Sequence, residues 1–202
     1  MLGLMSMKLP PELRARVLDF HPQRSVMPPT ICRTPQELFD DFISEELPAL
    51  RRLGPIVVAP PGSSANVALL IEPRCHPCLE HVIRNTMLLL NGTSSHPLAT
   101  ESAGTWQLQI FHGTANREYL ESFLSPEERS RIQWVSLEVD NLSPLAHNEL
   151  MCTHWLWRRA AAERALVFQT DALLARDGID DFQIWDYIGA PWRTDDMWCA
   201  DK

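Results

Sequence analysis

From Asn66 onward the chain alternates short apolar runs with stretches of helical period, and this restricts the fold more than any other feature of the sequence. A parallel strand is buried on both faces, so it reads as a continuous apolar run, and its crossover to the next parallel strand needs a helix. The alternation therefore predicts βαβ units around a mostly parallel sheet. The expected strands are Val67–Ile71, Trp106–Phe111, Ile132–Leu137 and Ala165–Phe168. Pro77 opens a helix in which Leu79, Val82, Ile83, Thr86, Met87 and Leu90 recur at the helical period, and Asn91-Gly92 stops it. Ala115–Leu124 reads as a second helix, and Ser125-Pro126-Glu127-Glu128 is a capping signal for a third. Ser143-Pro144 begins a further helix to about Ala161, with Ala146, Leu150, Thr153, Trp157 and Ala160 on one stripe. The expected class is α/β, a Rossmann-like, mostly parallel sheet with flanking helices.

The first third reads differently. Ten of the 16 prolines fall in residues 1–61, which rules out one continuous regular element there. One good helix is expected, opened by the capping box Thr34-Pro35-Gln36-Glu37 and ended by Pro48 and Gly54, with Leu38, Phe39, Phe42, Ile43 and Leu47 on one face. Pro60-Pro61-Gly62-Ser63-Ser64 reads as a linker. The expected organisation is a Pro-rich extension over residues 1–64 and an α/β domain over residues 65–202.

A chain of 202 residues with 45% hydrophobic content can bury a real core and suits one domain with an extension. Its net charge of −8 argues against nucleic acid or an anionic membrane as the main partner, since both select basic surfaces. No run approaches the roughly 20 apolar residues of a membrane span, and Met1–Pro10 lacks the apolar core of a signal peptide, so a soluble, cytoplasmic protein is expected. The five cysteines are scattered and odd in number, unlike a secreted disulfide framework.

In open α/β sheets ligands bind beyond the carboxyl ends of the strands. Those ends supply Glu72 and Arg74 after the first strand, His112 and Gly113 after the second, and Asp171 after the fourth. A carboxylate placed like Asp171 suits a divalent cation bridging a diphosphate, because Mg²⁺ uses one or two protein carboxylates and completes its shell with substrate oxygens and water. The plainer reading is that Asp171 caps the next turn. A second acid, Asp186, follows 186 − 171 = 15 residues later. His112 has an equally plain reading as a ring satisfied by local backbone. Trp155, Trp157, Trp185 and Trp192 are candidates for stacking on a sugar or base, or for core. Cys75-His76-Pro77-Cys78 between a strand and a helix has the spacing of a thiol oxidoreductase. The same pair with Cys152 and His154 is a weaker zinc candidate.

Four motifs carry a family likeness. Ile71-Glu72-Pro73-Arg74, Ile110-Phe111-His112-Gly113-Thr114-Ala115-Asn116, Phe168-Gln169-Thr170-Asp171 and Asp186-Tyr187-Ile188-Gly189-Ala190-Pro191-Trp192 together resemble domain-of-unknown-function family 5672, regarded as glycosyltransferase-like. The resemblance runs from about Asn66 to Trp192 and implies a type-A nucleotide-diphospho-sugar transferase fold. It implies a nucleotide-sugar donor, an acceptor it does not specify, and Mn²⁺ or Mg²⁺ held by a D-x-D signature. Gln169-Thr170-Asp171 looks like that signature with glutamine for its first acid, so Asp171 would be the metal-side carboxylate. Glu72, Arg74, His112 and Asp186 would be donor contacts. Relatives continue past the last motif with a glycine-rich segment, whereas this chain stops 202 − 192 = 10 residues later, so a C-terminally incomplete domain is expected.

Overall fold

The structure, a computed structural model, describes residues 34–92 and 106–189. The chain forms two compact units, Met1–Leu38 and Phe39–Lys202. Of the first, the described part is the start of helix α1 (Pro35–Arg52). Its capping box forms as the sequence predicts: Glu37 N donates to Thr34 Oγ1 (3.2 Å) and Thr34 N to the Glu37 carboxylate (2.6 Å).

The second unit holds a parallel sheet of β1 (Asn66–Glu72), β2 (Trp106–His112), β3 (Gln133–Ser136) and β4 (Arg164–Phe168), in the order β3-β2-β1-β4. The strands lie within a residue or two of their expected positions. Helices α2 (Leu79–Asn91), α3 (Asn116–Ser122), α4 (Pro126–Arg131), α5 (Pro144–Met151) and α6 (His154–Trp157) connect them, and a 3₁₀ turn spans Ile179–Phe182. Among the described residues no helix is long and apolar enough to cross a membrane.

Alternate residues of each strand feed opposite faces of the sheet. Ala68, Leu70, Leu108, Ile110 and Phe168 pack with Leu79, Val82, Ile83, Met87 and Leu90 of α2. Ile43 of α1 and the connecting residues Ile56 and Val58 join this cluster, so residues 39–64 contribute to the core of the α/β unit. On the other face Leu69, Ile71 and Phe111 meet Leu156 of α6, with Leu150 and Met151 of α5 against them.

Three local expectations are corrected. Pro48 lies inside α1, which runs on to Arg52; Gly54, at φ 93, follows the end. The helix expected from Ser143 to about Ala161 is two helices, because Thr153 takes an extended backbone (φ −91, ψ 141) and caps α6 through its hydroxyl. Leu156, not Trp157, is then the buried residue, and Trp157 is exposed. Finally, the proline-rich segment expected as a linker is tied to the sheet, since the buried side chain of Gln107 accepts Gly62 N (2.6 Å) and donates to Ser64 O (2.7 Å).

Buried ionisable groups make the fold acid-sensitive. His81 is buried with neither ring nitrogen hydrogen-bonded among the described residues, and burial pushes its pKa below 6.5 against an opposing pull from Glu46. Burial opposes the charge of Glu80, but Arg51 and Arg84 bond its carboxylate and hold its pKa below 4.5. Both folded values lie below the unfolded ones, so the unfolded chain binds more protons. Stability is fully present above pH 6.5 and falls as the pH drops through the folded pKa of His81, then falls again below 4.5. We expect melting temperature to decline between pH 6.5 and 5 in the native chain and to stay flat there in His81→Leu. An unchanged decline in that variant would remove His81 as the cause.

Candidate functional site

The chain runs from β1 to β2 to β3 in one direction across the sheet, then returns to place β4 on the other side of β1. That reversal makes the β1/β4 boundary the topological switch point, where crossovers diverge and leave a crevice at the carboxyl ends of the strands. A cleft of about 480 Å³ opens there. Its walls are Glu72, Arg74 and His76 from the end of β1, Gln169, Thr170 and Asp171 from the end of β4, and Pro144, His147 and Asn148 from the start of α5.

Glu72 is the best-fixed group of the site. Its side chain is 5% exposed and accepts Arg74 Nε (2.8 Å), Arg74 Nη2 (2.7 Å) and Arg74 N (2.9 Å), with Thr170 Oγ1 at 3.4 Å. Burial works against its charge, but the Arg74 guanidinium and N–H, aided by His76, hold its carboxyl below the ordinary value. The bond to Glu72 in turn raises the pKa of Arg74, with Asp171 adding to the effect across the cleft.

The backbone carrying this pair is held by Asn116, the first residue of α3, which is completely buried. Asn116 Nδ2 donates to Glu72 O (2.6 Å) and Arg74 O (3.0 Å), and its Oδ1 accepts Gly113 N (2.8 Å). The ends of β1 and β2 are joined by this one amide. Gly113 is packed so closely that a Cβ would lie 2.6 Å from Val139 O, and closer still to Pro73 O.

Asp171 is exposed, lines the cleft, and accepts no hydrogen bond among the described residues, so the turn-capping alternative finds no bond to support it. Gln169 lies against the ring of His147 (3.4 Å between nitrogens). The structure therefore brings together Glu72, Arg74 and Asp171. It does not bring His112 or Asp186 to them. His112 is buried beside the site, its Nδ1 against Gly113 O (2.6 Å) and its ring edge-on to Trp134. Asp186 sits on an exposed stretch after the 3₁₀ turn.

Residues of the site that the sequence did not single out are His147 and Asn148, while His76 and Asn116 stand in quoted motifs without a role assigned to them. A signal existed for them: a helix that follows a parallel strand begins at the carboxyl edge of the sheet, so the start of α2, α3 and α5 falls at the cleft rim.

For the divalent cation implied by the resemblance, the donor set is sparse. Glu72 is taken up by Arg74, and among the described residues no group of three or more His, Cys, Asp or Glu is placed to hold an ion. Among the described residues Asp171 is the group that would hold a Mg²⁺ or Mn²⁺ ion, with phosphate oxygens and water needed to complete the shell. Cys75 and Cys78 are free thiols, and burial, with Asp40, pushes the Cys78 thiol up, the opposite of the shift that makes a reactive thiolate.

Residues 131–202 match the family described as Protein of unknown function (DUF5672). The matched residues hold β3, α5, α6 and β4, hence the α5 and Asp171 walls of the cleft. The Glu72–Arg74 and His112–Asn116 motifs lie before the match. No curated protein and no solved structure matches the chain.

Proposed function

We propose that the switch-point cleft binds a nucleotide sugar, with Asp171 on the cation side of the donor diphosphate, in a glycosyltransferase-like domain. The observation that carries this reading is Asp171 itself: an exposed carboxylate without a protein partner among the described residues, at the position where α/β sheets bind ligands. A nucleotide sugar suits the cleft because its diphosphate needs cationic and hydrogen-bonding partners and its hydroxyls need acceptors. Arg74, His76 and Asn148 offer the first, and the amide oxygen of Gln169 the second. A bound Mg²⁺ or Mn²⁺ would supply electrostatic stabilisation of the leaving diphosphate.

Calorimetry of the full chain with a panel of nucleotide sugars tests the reading. We expect binding that requires Mn²⁺ or Mg²⁺ and weakens in Asp171→Ala by about 30-fold, the effect of losing one charge-assisted contact of ~2 kcal/mol. Equal, metal-independent binding by the variant would sink the assignment. Donor hydrolysis then separates a transferase from a binding module of the same fold: slow turnover without acceptor marks the enzyme, and binding without turnover marks the module.

A further inference from the structure

We infer that Arg74 and His76 hold the phosphate oxygens of a cation–diphosphate complex, and that Glu72 is a positioning residue which fixes Arg74 and does not itself reach the ligand. The inference rests on the diphosphate reading above and deepens it.

Glu72 takes the Nε and Nη2 donors of Arg74, so both carboxylate oxygens are committed to holding the guanidinium. Arg74 Nη1 has no hydrogen-bond partner among the described residues, and the side chain, 53% exposed, lines the cleft. One edge of the fork is thereby anchored and the other offered, the arrangement that suits recognition of phosphate by Arg. His76 is aimed by similar logic. Its Nδ1 accepts the N–H of Cys78 (3.2 Å), which places the ring proton on Nε2. That N–H is a donor with no partner among the described residues, on a ring that lines the same wall.

The opposite wall is a lone acid. Counting Glu72 −1, Arg74 +1 and Asp171 −1, with neutral histidines, these residues carry −1. A bare diphosphate is repelled by that charge, and a bare dication finds only one unpaired carboxylate. The complex of the two presents an anionic face to Arg74 and His76 and a cationic face to Asp171.

The experiment is calorimetry on the full chain with three probes: Mn²⁺ alone, pyrophosphate in EDTA, and Mn²⁺ with pyrophosphate. The pair is expected to bind at least about tenfold more tightly than either component, with Arg74→Ala and His76→Ala each weakening it about tenfold. His76→Asn separates ligand contact from fold support, because it keeps an acceptor for Cys78 N–H but lacks the reach of Nε2. It should bind as weakly as His76→Ala while melting like the native chain. Native-like binding by His76→Asn, or binding within twofold of native by both alanine variants, overturns the inference. If nucleotide sugars still bind through Asp171 in that case, the donor reading survives. If manganese pyrophosphate binds through Arg74 and His76 but no nucleotide sugar competes, the donor reading fails and the inference stands. A chain that binds neither overturns both.

Discussion

Asn116→Asp is expected to lower the unfolding free energy at pH 7 by about 5 kcal/mol. The change is isosteric, so packing is preserved and only the polarity of one atom is reversed. In the native chain Nδ2 donates to Glu72 O and Arg74 O. A carboxylate oxygen in its place faces two carbonyl oxygens in a fully buried position, and the group takes up a proton rather than remain charged. Protonating an acid of ordinary pKa near 3.9 at pH 7 costs about 4 kcal/mol, and the single O–H then satisfies one carbonyl where two N–H bonds existed, adding about 1 kcal/mol. The pH dependence has a definite sign. The folded pKa of the new acid is raised, so the deficit relative to the native chain is greatest above that value and shrinks as the pH falls toward 3.9. Urea unfolding of both proteins at pH 5, 6 and 7 reads this directly. A deficit under about 1 kcal/mol that does not change with pH would mean that Asn116 does not hold the two loop carbonyls.

Gly113→Ala is expected to cost about 3 kcal/mol, and for a domain of this size roughly 6–12 °C in melting temperature. Its cause is steric. The new Cβ would sit 2.6 Å from Val139 O and 3.0 Å from Asp140 Oδ1, with Pro73 O nearer still. These atoms belong to the loops after β3 and β1, and neither is free to move. Val139 follows Glu138, a non-glycine residue at φ 58, and Asp140 Oδ1 accepts Ala115 N (2.7 Å). Pro73 lies between the two carbonyls bonded by Asn116. A melting temperature within 2 °C of native would show that the loops yield more easily than this packing implies.

Much of the framework was legible. Trp106-Gln107-Leu108-Gln109-Ile110-Phe111 reads as a strand despite its two glutamines, because Trp106, Leu108 and Ile110 fill one face at the strand's two-residue period. The glutamines are buried all the same, satisfied by partners far along the chain: Gln109 bonds Arg159 O (2.6 Å) and Ala161 N (3.0 Å). The capping boxes at Thr34 and Ser125 formed because they involve residues three apart. The break at Thr153 was missed. A Thr inside a helical period is compatible with continuation, and only the burial of Leu156 against the sheet selects the cap over the helix.

The site divides along the same line. The chain alone determined that Glu72, Arg74 and Asp171 stand at strand ends, since that follows from where apolar runs stop. It also placed His112 and Asp186 with them, and neither joins the cleft. Which strand ends meet depends on strand order, and the β3-β2-β1-β4 order is set by how helices pack on the two faces, a property of contacts between residues distant in sequence. That order alone puts the end of β4 beside the end of β1, bringing Asp171 opposite Arg74 and His76 and leaving His112 one strand away beside Trp134. Local chemistry was decided by residue type and short spacing. Convergence was decided by the tertiary fold, because only packing energy, summed over the whole sheet, can choose a neighbour.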